Sequence, residues 1–377
     1  MQKDVPRVKF KGITEKDTKR EQGGREMIRK KNASAFAGGI IFVIILPFIV
    51  MFSINVIVDP LWFFNHENSL NKVQEDFDER QQKINRVAFA GEEFDALLIG
   101  SSRVTYISQQ EFGDENVFNM ASGHMSHKEY APYLEYVEEK RGKPLEKVYI
   151  GFDFFATSEN KGVTDPDPFI QNAEDRFYPL KAYLSRDMLE QSFKNAEASL
   201  KEEPFHRSYD RNNVGTTEKL EPQETQERIE EKDADFEEVT YDENTYTYDE
   251  TFKEEMQQLQ EAHPDTEFIA FTTPVTEELF RTMQQEGREE DYETWLRDIT
   301  DVFGGVEHFM YVNSITENPD YFYDAHHYYQ TLGDLMAHRM AGVEDEELPE
   351  DFGIHLTKDN IDEELRTLKQ NDWEPEE

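Results

Sequence analysis

The chain has 377 residues, with 40 Lys and Arg against 81 Asp and Glu, and a formal net charge of -41. That balance excludes nucleic-acid recognition through a general basic surface, which needs cations to displace counterions. Hydrophobic residues at 37 % and aromatics at 13 % suffice for a core, and the absence of cysteine excludes disulfides, thiolate metal sites and a Cys nucleophile.

The charge is unevenly spread: residues 1–34 carry +6 and the rest of the chain -47. After this basic leader comes an uncharged run, 35–58, of 24 residues. At about 1.5 Å per residue it is long enough to cross a hydrocarbon core of roughly 30 Å. Its length, its long basic leader and the absence of an A-x-A site favour an uncleaved transmembrane helix over a signal peptide or a buried core helix. Pro47 predicts a kink in it, and Asp59-Pro60 ends it. Trp62, Phe63 and Phe64 follow where an interfacial aromatic belt would sit. Arg29, Lys30 and Lys31 flank the run, so the positive-inside rule predicts a cytoplasmic N-terminus and an outer part from residue 60 onward.

Residues 59–93 read as a polar, helix-compatible connector. Short apolar runs then predict strands at 95–101, 117–120, 147–155, 266–272 and 308–312. Helical spacing predicts helices at 126–140, 252–262, 276–301 with a break at Gly287, and 329–340. This alternation argues for an α/β domain over 94–341 with a parallel sheet covered on both faces. Segment 203–250 is acidic and poor in aliphatic residues, and reads as a solvated insertion, with a lid or partner-binding arm as the alternative. Residues 342–377 read as an acidic, peripheral tail.

In open parallel sheets ligands bind beyond the carboxyl ends of the strands. The first predicted strand runs into Gly100-Ser101-Ser102-Arg103, and the region after the last contains Asp324-Ala325-His326-His327-Tyr328. A serine hydroxyl, a histidine to take its proton and a carboxylate to orient that histidine form a minimal set for nucleophilic catalysis. Thr272-Thr273-Pro274-Val275 falls on the same edge and reads as rim. The Phe- and Tyr-rich stretches around 152–155 and 321–323 read as core and rim packing, with stacking on sugar rings as the alternative. His124 and His127 have the composition of a weak metal site, but two histidines at a loop-to-helix junction are more often exposed, and no metal or other cofactor is implied.

These blocks carry a resemblance. The outer part, from about residue 55 to about residue 340, resembles the SGNH/GDSL hydrolase superfamily. It is most similar to the membrane-anchored bacterial branch with an LGSSR-like first block and a DP-type motif, here VIVDPLWFF. The resemblance implies a flavodoxin-like, three-layer α/β/α fold preceded by one transmembrane helix. It makes Ser102 the nucleophile, with Ser101 standing where the superfamily has Asp. Asp324 and His327 match its last block, with Tyr328 and Gly333 also fitting, and His326 is the alternative base. The block Phe118-Asn119-Met120-Ala121-Ser122-Gly123 would let Gly123 and Ser102 offer backbone N–H groups to an oxyanion. The departure is Gly151-Phe152-Asp153, where the superfamily has an Asn donor. An ionised Asp153 cannot donate, so it is either protonated, bound to a cation or a substrate hydroxyl, or outside the site. Arg103, Asn119 and Tyr328 are the candidate substrate-binding residues.

The implied function is that of a membrane-anchored, extracytoplasmic serine esterase or O-acyltransferase acting on acyl esters, acetyl foremost, of cell-envelope or exported polysaccharide. The alternative is a catalytically silent module that binds glycan or scaffolds an envelope assembly. The expected partners are an acylated glycan, the membrane and envelope-assembly proteins. The acidity itself suggests solvation in a salty or alkaline exterior.

Overall fold

The computed structural model describes residues 15–236, 240–241 and 244–372. The first part of the basic leader, two short stretches of the insertion and the end of the tail lie outside them. The chain divides into two units, Met1–Ile54 and Asn55–Glu377.

Helix α1 (Glu15–Val58) contains the whole uncharged run, with Pro47 inside it. Residues Phe42 to Val50 are all exposed, so apolar surface encircles this part of the helix. Among the described residues no helix is long and apolar enough to cross a membrane. The side chains of Ala35, Ala37 and Ile41, within the expected span, lie outside the described ones.

The second unit is α/β. Its main sheet comprises β1 (Ala96–Ile99), β2 (Val117–Asn119), β3 (Lys147–Phe152), β4 (Glu267–Thr272), β5 (Gly305–His308) and β6 (Ile354–Thr357), in the order β6-β5-β4-β3-β1-β2. All neighbours are parallel except β5 and β6, where Gly305 pairs with Thr357 and His308 with Ile354. Alternation along β1 divides the core. Leu97 and Ile99 pack on one face with Val148, Ile150, Leu134, Val137, Leu296 and Ile299. Ala96 and Leu98 pack on the other with Tyr149, Leu332 and Met336. Helices therefore cover both faces: α2 (Glu79–Phe89), α3 (Tyr130–Arg141), α8 (Phe252–Ala262) and α10 (Glu289–Phe303) on the first, and α11 (Gln330–Ala341) on the second. Between α3 and α8 come α4 (Asp167–Glu174), α5 (Tyr178–Tyr183), α6 (Arg186–Lys201) and α7 (Pro222–Ala234). Helix α9 (Glu277–Gln285) is separated from α10 at Gly287, whose φ of +68° suits glycine, as the sequence predicts.

Five expectations change. The last parallel strand is Gly305–His308 rather than 308–312, because Phe309, Met310 and Tyr311 are apolar for burial in the following loop and not for pairing. The acidic tail is not peripheral: it supplies β6 and α12 (Ile361–Asp372), with Leu356, Ile361, Leu365 and Leu368 buried. The described residues of segment 203–250 are folded into the domain, Ser208–Tyr209 pairing with both Gln74–Glu75 and Gly215–Thr216, and Ile229 and Phe236 joining the core. The connector is built in as well, since α2 buries Glu79, Gln81, Gln82, Lys83, Asn85 and Arg86 in a polar network.

Trp62 and Phe63 are fully buried and form no interfacial belt; only Phe64 of the three is exposed. The cause is Asp59. Its carboxylate accepts from the N–H groups of Phe63 (2.9 Å) and Phe64 (3.1 Å), from Tyr183 Oη and from Arg211 Nη2 at 2.8 Å. This folds residues 59–64 inward.

Candidate active site

The sheet order reverses between β1 and β3, so their carboxyl ends border the crevice where this fold class binds ligands. Gly100 ends β1: a Cβ there would lie 2.4 Å from Val104, so only glycine lets the chain turn tightly into Ser101-Ser102. Ser102, partly exposed, sits in that turn.

Its Oγ lies 3.0 Å from His327 Nε2, and His327 Nδ1 lies 2.8 Å from Asp324 Oδ2. The other Asp324 oxygen accepts the backbone N–H groups of His326 (2.9 Å) and His327 (2.8 Å), which fixes the loop ahead of α11. Burial raises the Asp324 carboxyl, but His326, His327 and these hydrogen bonds outweigh it and hold the group well below the usual carboxylate range. It is ionised and able to orient the imidazole through Nδ1–H. The adjacent His326 is buried with its Nδ1 3.7 Å from Asp324 and its ring edge-on to Phe236, and burial first, then His327, pushes it well below the ordinary histidine value. Of the two histidines, His327 is the one that meets the serine.

The expected oxyanion and binding residues fare differently. The Gly123 N–H donates to Glu79 Oε2, and the Gly123 carbonyl accepts from Arg80 Nη1 at 3.0 Å, so its amide is already engaged. Asn119 is fully buried, donating to the carbonyls of Val104 (3.0 Å) and Ile107 (2.9 Å) and accepting from the Ala121 N–H; it shapes the loop and cannot reach a substrate. The Asp153 carboxylate is buried, accepting from the hydroxyls of Ser101 and Thr273, and lies 3.3 Å from Arg103 Nη1. Arg103, also buried, donates to Thr273 Oγ1 at 3.1 Å. Asp153 and Arg103 are thus each other's counter-ions, and neither is an oxyanion donor or a substrate clamp. Tyr328 is fully buried, and burial, with Asp153 nearby, raises its hydroxyl well above the ordinary value. Thr272 is likewise interior, bonded to His308 rather than lining a rim.

Six contributors are not evident from motifs. Glu79, on α2, binds Gly123, Arg207 Nη2 and Tyr209 Oη, and Lys83 beside it donates to the Ala121 carbonyl. Arg207, in the insertion, donates to Thr105 Oγ1 at 2.7 Å, and that hydroxyl donates to the Ser102 carbonyl. Gly215 packs against the Thr105 carbonyl, where a Cβ would come within 2.5 Å, so the insertion closes directly on the turn that carries Ser102. His206 and Arg228 reach Tyr323 Oη next to Asp324 and line, with Lys219 and Leu220, a cavity of about 330 Å³. A basic pair, His206-Arg207, inside an acidic segment is the one sequence signal that could have marked this wall.

Among the described residues two clusters have metal-ligand composition, Asp324/His326/His327 and His127/Asp249/Glu255. The first has its Nδ1 and Nε2 of His327 committed to Asp324 and Ser102. In the second, Lys128 Nζ sits against Asp249 and His127 Nε2 is 3.2 Å from Glu255, so an ammonium already fills the cation position. His124 takes no part in either cluster. No family model and no curated protein matches the chain.

Proposed function

We propose that the chain is a membrane-anchored serine esterase or O-acyltransferase of the SGNH type, acting outside the cytoplasmic membrane on acyl esters of a cell-envelope or exported polysaccharide. The observation that carries this reading is the relay from Ser102 Oγ to His327 Nε2 (3.0 Å) and from His327 Nδ1 to Asp324 (2.8 Å) at the mouth of a parallel sheet. Ser102 attacks the ester carbonyl while its proton passes to His327, and the imidazolium is stabilised by Asp324. Collapse of the tetrahedral intermediate breaks the ester bond, and His327 returns the proton to the leaving alcohol. Water or a sugar hydroxyl then attacks the acyl-enzyme, with His327 as base, and Ser102 is regenerated. With Gly123 engaged, the Ser102 N–H is the backbone donor left to the oxyanion, and Arg207, ion-paired with Glu79, holds the Ser102 turn in place through the Thr105 hydroxyl. The uncharged run and the exposed apolar girdle of α1 support the anchor, and the flanking Arg29, Lys30 and Lys31 its orientation.

A second reading, a silent glycan-binding or scaffold module, is favoured by Asp153, which replaces a donor amide with a buried ion pair. A fluorophosphonate probe separates the two. Labelling of the wild type that vanishes in Ser102→Ala supports the enzyme; a folded wild type that takes no label overturns it.

A further inference from the structure

Helix α6 is built inside out. Its inward face carries Gln191, Ser192, Asn195 and Ser199, none more than 6 % exposed, while Phe193 and Leu200 on the same helix are 58 % and 64 % exposed. The preceding α5 region repeats the pattern, with Phe177, Leu180 and Leu184 exposed. A helix whose outer solvent is water puts its apolar stripe against the core; one with the reverse arrangement is matched to an apolar exterior.

Two further observations say which exterior. The polar inner face is bonded to the end of the uncharged run: Ser192 Oγ donates to Asn55 Oδ1 at 2.8 Å, and Asn55 Nδ2 donates to the Tyr183 carbonyl at 3.0 Å. The charge also fits. Residues 176–201 hold five Lys and Arg against three Asp and Glu, a local +2 in a chain of net -41. Phe193 and Leu200 alternate with exposed Glu190 and Glu197 and are flanked by exposed Arg186, Lys194 and Lys201, so this apolar face lacks the acidic excess of the rest of the chain and can approach an anionic lipid surface without the repulsion that excess would bring. We propose that the outer face of α5 and α6 lies in the headgroup region of an anionic bilayer, Phe193 and Leu200 inserted and the flanking Lys and Arg at the phosphates. This rests on the reading that 35–58 crosses the membrane.

The chain has no cysteine, so single-cysteine labelling of the full-length protein is clean. Phe193→Cys, Leu200→Cys, Ile45→Cys in the uncharged run and Gln257→Cys on the exposed face of α8 are each labelled with an NBD fluorophore. The proteins are then reconstituted in phosphatidylglycerol-containing vesicles, with circular dichroism melts confirming that each variant folds. The expected result is blue-shifted emission at 193 and 200, quenched by doxyl-labelled lipid and not by aqueous iodide, as at 45 and opposite to 257. If 193 and 200 follow 257 while 45 stays lipid-quenched, the surface proposal fails and the membrane span stands. If 45 is also iodide-quenched, the span fails with it. Protection of 193 and 200 from both quenchers means a protein covers the face and overturns the lipid assignment.

Discussion

Arg103 and Asp153 face each other across the crevice, Nη1 to Oδ1 at 3.3 Å, both buried, with Ser101 and Thr273 hydroxyls completing the carboxylate's shell. The pair ties the turn after β1 to the ends of β3 and β4. It holds Ser102 in position by bracing the residues on either side of it.

Breaking one side of this pair leaves the other charge buried and alone, which typically costs about 3–5 kcal/mol. Asp153→Ala and Arg103→Met are each expected to lower unfolding stability by that order. The double variant should lose clearly less than the sum, because it removes both charges. Denaturant unfolding of the four proteins measures this; strict additivity would mean the two side chains do not interact.

Asp324→Asn keeps the shape of the loop but cannot serve as the anionic partner of His327 Nδ1. The rate of fluorophosphonate labelling is expected to fall by about 10³-fold or more, while His326→Gln should retain most of it. The reverse ranking would transfer the base to His326.

His308 is fully buried between Thr272 Oγ1 (2.9 Å to Nδ1) and Tyr292 Oη (2.7 Å to Nε2), and burial lowers it to about 3 from the ordinary 6.5. In the folded state it stays neutral where the unfolded chain would take a proton. Stability from this group is therefore complete above about pH 6.5 and is lost as pH falls toward about 3, on the order of a few kcal/mol in all. His308→Gln should flatten the stability profile across that window, read from urea midpoints at a series of pH values. An unchanged slope would show that other groups carry the acid sensitivity.

Truncation after Gly342 removes β6 and α12, and with them the burial of Leu356, Ile361, Leu365 and Leu368. At about 1.5–3 kcal/mol for each large apolar side chain the loss is comparable to a typical net stability of about 5–15 kcal/mol. The shortened chain is expected to be protease-sensitive throughout, where a peripheral tail would leave a resistant domain.

Glu79→Gln strips the charge that faces Arg207 and Lys83, and Lys83, buried, is already pushed down to about 7 by desolvation. We expect a stability loss of about 3 kcal/mol and, because Arg207 loses its partner, slower probe labelling. Wild-type labelling with lowered stability would confine Glu79 to a structural role.

The sheet was legible because β1, β3 and β4 are short, apolar and largely buried, and Ser102 because it directly follows a predicted strand, Asp324 and His327 because they directly precede a predicted helix. What the sequence concealed has one physical origin. Glu79, Lys83, Arg207 and Arg211 are charged residues with an internal role, and composition alone assigns such residues to solvent. Their partners lie far away in the chain, so neither the connector nor the insertion looked structural. Asp153 misled in the other direction: its place in the motif suggested the oxyanion, and only the position of Arg103 shows where its charge is spent.

The inward fold at Asp59 has a consequence for how the protein is made. Its side-chain partners Tyr183 and Arg211 follow 124 and 152 residues later. At a synthesis rate of about 5–20 residues per second, Trp62 and Phe63 wait roughly 8–30 s for the residues that cover them. Closing a loop of that length is also entropically slow. The first segment to emerge after the uncharged run therefore carries two large aromatic side chains uncovered until more than half of the chain has been made.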